Sequence, residues 1–194
     1  MPADPQQSPP FPPPSASREA HLVDGSDAWF RQVLYRFIQA AGQLHRAREG
    51  FGHEAAMTGN QFLVLMGVSY MAEQNGVTIA ALAAHIGLAA PHVTTEVGRL
   101  QDRGLLIKRP HGEDRRAVLV SLSDAGRCAV TDVISVVRPV NDILFADITR
   151  AELAGLLAVS EKVVANSEAA LAHLRVLKET RAQDHVAAPN RRKK

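Results

Sequence analysis

The chain has 194 residues, 46% of them hydrophobic and 22% charged, which is enough length and apolar content for one domain with a substantial core. Its formal net charge of +2 excludes a globally basic protein, so any nucleic-acid partner would have to bind local patches. The single cysteine, Cys128, excludes an intramolecular disulfide framework and favours a reducing compartment.

The N-terminal segment, residues 1–25, is rich in Pro, Ser and Gln. We expect a disordered tail here, because so few apolar side chains cannot offset the entropy of ordering. The segment has neither the basic nor the apolar region of a signal peptide, and no window of 18 apolar residues predicts a membrane span. We therefore expect a cytoplasmic protein with no membrane partner.

Two helices are predicted next. Apolar residues from Trp29 to Leu44 recur at helical spacing and predict an amphipathic helix over about 27–48, which the sequence GFGHEAAM then breaks. Thr58 and Gln61 have the T-x-x-Q spacing of a capping box. They predict a second helix that ends near Gly76.

A helix-turn-helix is predicted after Gly76. Thr78 can cap a short helix over 79–86, which Gly87 ends in the left-handed conformation. A second helix follows over about 90–103, with Pro91 in its first turn, where a missing N–H costs nothing. On this segment alone, an ordinary helical hairpin of a bundle remains an alternative.

A β-hairpin and two further helices complete the chain. The β-rich runs 105–109 and 117–122 flank a charged loop that contains Pro110 and Gly112. We expect a helix over about 123–144 with a kink or late break at Pro139, another over about 149–177, and a flexible basic tail over 179–194. The predicted fold is mainly α with a small β-wing, in the order α1-α2-β1-α3-α4-β2-wing-β3-α5-α6.

The second helix of the helix-turn-helix presents side chains suited to a DNA major groove. They are small, hydroxylic or donor-bearing: Ala90, His92, Thr94, Thr95 and Arg99. Glu96 argues against this unless it accepts a hydrogen bond from a cytosine amino group. Gly98 costs about 1 kcal/mol relative to Ala inside a helix, which indicates that something approaches the backbone there.

The charged loop fits the minor groove. An arginine at the tip of a narrow wing can enter that groove, where negative potential is concentrated, and Asp114 can orient Arg115 or Arg116 through a bidentate pair. A solvated turn with incidental charges is the alternative for an isolated loop. The position directly after a helix-turn-helix favours a wing.

Three segments together resemble the multiple antibiotic resistance regulator (MarR) family of bacterial transcription factors: MTGNQFLVLMGV, TIAALAAHIGLAAPHVTTEVGRLQDRGLLIKRP and EDRRAVLVSLSDAGR. The resemblance covers roughly residues 27–174. It implies a MarR-type domain over 26–178, with a winged helix-turn-helix over about 58–123 and dimerisation helices over about 27–48 and 124–177.

The resemblance also implies a function. Family members are homodimers that bind pseudo-palindromic operators, usually as repressors, and are released by a small aromatic acid or phenolic effector rather than by a cofactor. The implied DNA-binding residues are Ala90, Pro91, His92, Thr94, Thr95, Arg99, Arg109, His111, Asp114, Arg115 and Arg116. The candidate effector-binding residues are Tyr35, Arg36, Gln39, Gln43, His53 and Met66.

Other functions have less support in the sequence. Protease, hydrolase, P-loop and dinucleotide-binding motifs are all missing, so we do not expect an enzyme. A zinc-responsive regulator would need ligand-spaced His, Cys and Glu, and His45, His53 and Glu54 do not supply such a pair. Cys128 falls in the fifth helix, away from the start of the first helix, where the family's peroxide sensors carry their cysteine. Two alternatives stay open: a zinc-responsive regulator of the same fold, and a winged helix used for protein contact, which would not need the two wing arginines.

Overall fold

The computed structural model describes residues 11–72, 76–112 and 117–187. A short 3-10 helix, Glu19–His21, precedes six α-helices and three strands within these residues. In chain order they are α1 (Ala28–Glu54), α2 (Gly59–Met71), β1 (Val77–Thr78), α3 (Ile79–Ile86), α4 (Ala90–Asp102), β2 (Leu106–Pro110), β3 (Val118–Leu122), α5 (Asp124–Leu144) and α6 (Arg150–Ala187). The predicted class and element order are confirmed.

The local signals at the helix ends behave as predicted. The Thr58 hydroxyl accepts from the backbone N–H of Gln61, whose side chain accepts from the Thr58 N–H, completing the capping box of α2. Thr78 caps α3 by accepting from the Ala81 N–H. Gly87 ends α3 with φ of +70°, a conformation that glycine adopts without steric cost.

α1 extends six residues beyond its predicted end at residue 48. GFGHEAAM does not break the helix at its first glycine, because Phe51 is buried against Phe62 of α2, with ring centroids 5.6 Å apart. Gly52 is also buried, and a Cβ there would collide with the backbone of Thr58 and Gly59. Tertiary packing therefore outweighs the low helix propensity of Gly50 and Gly52.

Two other helix boundaries differ from the prediction. α2 ends at Met71 rather than near Gly76. α5 contains Pro139 and ends at Leu144, as predicted. α6 reaches Ala187, ten residues past the predicted end at 177, and so includes part of the segment assigned to the C-terminal tail.

The strands form one antiparallel sheet in the order β1-β3-β2. Leu106 pairs with Leu122 and Pro110 with Val118, while Val77 of β1 pairs with Val120 on the other side of β3. Leu106 and Val120 are buried on the face towards the main core. That core also contains Leu65 of α2, Leu82 of α3, and Val93, Val97 and Leu100 of α4.

The segment before α1 makes ordered contacts within the tail that the sequence predicts to be disordered. The backbone N–H and the hydroxyl of Ser15 both donate to Oδ2 of Asp27, each at 2.6 Å. Asp27 is buried, and its Oδ1 lies 2.7 Å from Nη1 of Arg31. The His21 ring stacks on Phe30 at 4.8 Å, so residues 15–21 are attached to the first turns of α1.

The chain divides into two compact units, residues 1–140 and 141–194. Helix α6, in the second unit, buries no side chain as far as Arg181. Within the described residues, no helix combines the length and apolar content required to cross a bilayer.

Candidate nucleic-acid interface

Helix α4 has one buried and one exposed face. Val93, Val97 and Leu100 are fully buried against the core, which fixes the rotation of the helix about its axis. The exposed face consists of the predicted residues Ala90, Pro91, His92, Thr94, Thr95 and Arg99. The structure therefore gathers all six α4 residues of the predicted interface on one accessible surface.

The two threonines of this face have their hydroxyl hydrogens engaged. Oγ1 of Thr94 donates to the Ala90 carbonyl at 2.9 Å, and Oγ1 of Thr95 donates to the Pro91 carbonyl at 3.1 Å. Each threonine consequently presents a methyl group and a hydroxyl lone pair to solvent. Such groups suit a thymine methyl and a base-edge donor.

Glu96 lies on the buried side of α4, which corrects the expectation that it could face DNA. Its side chain is only 3% exposed because it shares the helix face of Val93 and Leu100. Its Oε1 accepts from Nη1 of Arg99 at 2.8 Å, whereas Oε2 forms no hydrogen bond with any described residue. The buried carboxylate thus holds one end of an exposed guanidinium.

A polar contact connects α4 to the start of α2. Nδ2 of Asn60 lies 3.0 Å from Nε2 of His92, which is in turn 3.8 Å from Oε1 of Glu96. The residue before Asn60 contacts α1, because the Gly59 N–H donates to the carboxylate of Glu49 at 3.1 Å. Asn60 has no local sequence signal that would predict this contact, since only the fold brings it next to α4.

The two cations of β2 lie on opposite faces of the sheet. Lys108 shares the face of Leu106, and a Cβ on Gly98 of α4 would lie 3.9 Å from its Nζ. The predicted residue Arg109 alternates onto the other face, which also bears Ile107 and Ser121. Nζ of Lys108 therefore lies close to Gly98 of α4. The alternation of side chains along the strand could have predicted this position.

Three predicted wing residues, Asp114, Arg115 and Arg116, fall outside the described residues. His111, next to them, is half-buried, and its backbone N–H donates to the Ala117 carbonyl at 3.1 Å. The described part of the hairpin therefore brings both ends of the charged loop together.

The predicted effector residues do not form one site in the chain. Tyr35, Arg36, Gln39 and Gln43 are exposed along α1, where Nη1 of Arg36 donates to the Gln39 side chain at 2.8 Å, and His53 is exposed near the end of that helix. Met66 is buried in a second apolar cluster with Phe51, Phe62, Val133 and Val137. Its side chain lies on the inward face of α2 and offers almost no accessible surface.

A cavity of about 360 Å³ lies elsewhere, between the end of α1, the residue pair Arg103 and Leu105, and one face of α5. No local sequence pattern predicts this cavity, because residues from three distant segments line it. Among the described residues, no three His, Cys, Asp or Glu side chains are placed to hold a metal ion.

A helix-turn-helix that carries its second helix on the surface, followed by a β-hairpin, defines a winged helix-turn-helix protein. Residues 57–117 match the family model described as MarR family. Over its winged helix-turn-helix, the chain is therefore similar to the MarR family.

The chain is also similar to one protein of known function over part of its length, and to solved structures in fold. The transcriptional activatory protein BadR of Rhodopseudomonas palustris is 27% identical over 96 residues, which are 50% of this chain and 55% of BadR, so the similarity spans about half of that relative. CouR of Rhodococcus jostii RHA1, solved with p-coumaroyl-CoA, has a TM-score of 0.63 at 19% identity over 72% of this chain and 96% of its own. A mutant form of E. coli MarR, solved with operator DNA, has a TM-score of 0.55 at 24% identity over 71% of this chain and 99% of its own.

Proposed function

We propose that the chain acts as a homodimeric, sequence-specific repressor that binds a pseudo-palindromic operator and is released by a small aromatic effector. The observation that carries the proposal is the exposed face of α4. Its hydroxyl, imidazole and guanidinium groups stand on a helix whose opposite face is fixed in the core.

The interaction with DNA follows from the width of the groove and the chemistry of this face. A B-DNA major groove is about 12 Å wide and admits one α-helix. Thr94, Thr95 and Arg99 would then meet base edges, while Lys108 would contact the phosphate backbone beside α4. The wing residues Arg115 and Arg116 would add a minor-groove contact, with Asp114 orienting one of them.

Dimerisation is supported by apolar surface that one chain leaves exposed. On α1 these side chains include Trp29, Val33 and Ile38, and on α6 they include Leu157, Val164 and Leu174, each between 46% and 72% exposed. A 38-residue helix without a buried side chain as far as Arg181 is not expected to be stable by itself. A second copy of the chain would cover these faces and place two recognition helices about one DNA turn apart.

Effector release is the third part of the proposal. CouR, solved with p-coumaroyl-CoA, has the same fold. A ligand that prefers one spacing of the two recognition helices lowers operator affinity by its differential affinity for the two states. In the dimer, Tyr35, Arg36, Gln39 and Gln43 would lie at or near the shared interface. Since the protein acts on DNA, we place it in the cytoplasm.

The proposal is tested with DNA from upstream of the protein's own gene. Gel shifts at several salt concentrations should show tight binding to one segment, and light scattering should give twice the mass of one chain. Thr95→Ala should change base preference at one position of each half-site. Thr131→Ala is the matched control, because this exposed threonine on α5 also donates to the carbonyl four residues earlier, that of Arg127 at 2.9 Å.

The outcomes are distinct. Equal affinity for all DNA segments would contradict sequence-specific binding, and a monomeric mass would contradict the dimer. A reporter gene placed behind the bound segment decides the direction of control. Higher expression on deletion of the regulator is expected, and lower expression would make it an activator, as the name of BadR states for that relative.

A further inference from the structure

We infer that the cavity between the end of α1, Arg103, Leu105 and α5 is an effector site. Its ligand would be a small organic cation with an apolar body, such as an arylalkylamine. This inference rests on the proposed function for its regulatory consequence, but the binding itself does not depend on DNA. The cavity has a volume of about 360 Å³, at the lower end of the range for small-molecule sites, so it fits a ligand of one ring and a short chain.

The apolar part of the cavity comes from three segments. Ala129 and Val133 line it from α5, where their spacing puts them on one face of the helix. Met57 and Leu105 line it from the segments just before α2 and β2. The small side chain of Ala129 leaves room that a larger residue would occupy. A ring can therefore displace water from an apolar surface here.

The charges around the cavity determine the class of ligand. Its charged lining residues are two carboxylates, Glu54 and Asp132, and one guanidinium, Arg103. Neither carboxylate forms an ion pair with any described residue. Arg103 is already engaged, because its Nη1 donates to the Ala56 carbonyl at 3.0 Å. The surplus of one negative charge favours a cationic ligand and disfavours the aromatic acid that the family resemblance implies.

The cavity is connected to the recognition helix through the same arginine. Arg103 is the C-cap residue of α4, and its backbone N–H donates to the Arg99 carbonyl. The carbonyl that its side chain binds belongs to Ala56, whose φ of +52° is unfavourable for a residue with a Cβ. Arg103 thus joins a strained position in the α1–α2 connection to the end of α4.

α5 contacts the same junction closely. The Ser123 N–H donates to the Leu105 carbonyl, and a Cβ on Gly126 would collide with that oxygen. Tight packing of this kind transmits small displacements instead of absorbing them. A cation held between Asp132 of α5 and Glu54 would therefore shift the position of α4 relative to α5, and operator affinity would fall.

The binding test uses three probes with the same ring and different charge: 2-phenylethylamine, 2-phenylethanol and phenylacetate. Calorimetry with the full chain, without DNA, should give an affinity for the amine at least about tenfold higher than for the acid, with the alcohol between them. Equal affinities for the three probes, or no binding of the amine at millimolar concentration, would overturn the inference.

Variants locate the binding. The double variant Glu54→Gln/Asp132→Asn should lower the affinity for the amine to that for the alcohol. The control Asp142→Asn changes an exposed carboxylate of α5 outside the cavity and should leave the affinity for the amine unchanged. Ala129→Trp should abolish binding of all three probes by filling the space. Amine affinity that survives both cavity variants would place the ligand elsewhere.

The regulatory consequence is measured separately with operator DNA. Saturating amine should lower operator affinity, and operator DNA should lower amine affinity by the same factor. Failure to bind any operator without ligand would refute the proposed function while the calorimetric result for the cavity stands. Operator binding that is normal and unaffected by bound amine would refute the effector role of the cavity alone.

Discussion

Nη1 of Arg99 lies 2.8 Å from Oε1 of Glu96, so an exposed guanidinium is held by a carboxylate that is itself 3% exposed. The two residues are about one helical turn apart on α4, where Arg99 is exposed and Glu96 is buried. Glu96 also has an oxygen, Oε2, without a hydrogen-bond partner among the described residues. A buried carboxylate with one oxygen that lacks a hydrogen-bond partner costs stability, and we expect Glu96 to be retained because it orients Arg99.

Removing the charge of Glu96 should therefore change DNA recognition more than folding. In Glu96→Gln we expect base preference at the Arg99 position to relax, with operator affinity falling by up to about tenfold, the effect of losing one charge-assisted contact. In the Arg99→Ala background the same change should have almost no further effect, and a double-mutant cycle measures this coupling.

Glu96→Met separates orientation from a structural role. Replacement of a buried charge by an apolar side chain of similar volume is often neutral or stabilising, so urea unfolding should give a free energy of unfolding equal to or above that of the wild type. A loss of about 2 kcal/mol or more would instead show that the ion pair maintains the fold.

The wing arginines give a prediction that depends on the proposed minor-groove contact. Arg115→Ala and Arg116→Ala should each weaken operator binding by about tenfold and leave the mass of the dimer unchanged, since the loop is remote from α1 and α6 in sequence. Gel shifts and light scattering measure the two quantities.

Lys108→Ala should reduce affinity equally for all sequences and lower the salt dependence, as expected for a phosphate contact.

Much of the fold follows from local sequence signals. The capping box at Thr58, the glycine at position 87 and the apolar periodicity of α3 and α4 give the helix-turn-helix to within a residue or two. The strands were predicted one residue early at their starts, since Leu105 and Ala117 lie just before β2 and β3.

The remaining features depend on tertiary contacts. The end of α1 was misplaced because the burial of Phe51 against Phe62 cannot be read from a glycine-rich segment. The residues that line the cavity lie up to 82 positions apart, from Glu54 to Val136, so no local sequence pattern predicts it. The position of Glu96 was accessible in principle, since it stands three residues after Val93 and four before Leu100 on the buried face.

Two glycines in α1 provide a matched test of packing. A Cβ on Gly52 would come within 2.9 Å of the backbone of Thr58 and Gly59, whereas a Cβ on Gly50 would meet nothing within 4 Å. Gly52→Ala should therefore destabilise the protein by about 1–3 kcal/mol, as overpacking does. Gly50→Ala should stabilise it by up to about 1 kcal/mol through helix propensity. Chemical denaturation of both variants checks the difference, and equal effects would contradict the packing at Gly52.

The contact of Ser15 with Asp27 should make stability depend on pH. The hydrogen bonds from the Ser15 hydroxyl and N–H, with the charge of Arg31, hold the pKa of Asp27 below its usual range. A lowered pKa means that the contribution is complete above the ordinary pKa of an aspartate, about 4, and is lost as the pH falls towards the folded value. Thermal unfolding should show wild type more stable than Asp27→Asn at pH 6, with the difference shrinking below pH 4. A difference independent of pH would exclude this ionisation as its cause.

Gly98 tests how closely α4 approaches DNA. In the chain alone, a Cβ at this position would meet only Nζ of Lys108, at 3.9 Å, an ordinary contact distance. Gly98→Ala should therefore raise the free energy of unfolding by up to about 1 kcal/mol, because alanine is the better helix former. If the DNA backbone packs against this point, the same methyl group should weaken operator binding despite the greater stability. Stability is measured by denaturation and affinity by gel shift. A variant that is more stable and binds with wild-type affinity would show that α4 does not approach DNA through Gly98, and the glycine would then have no role in recognition.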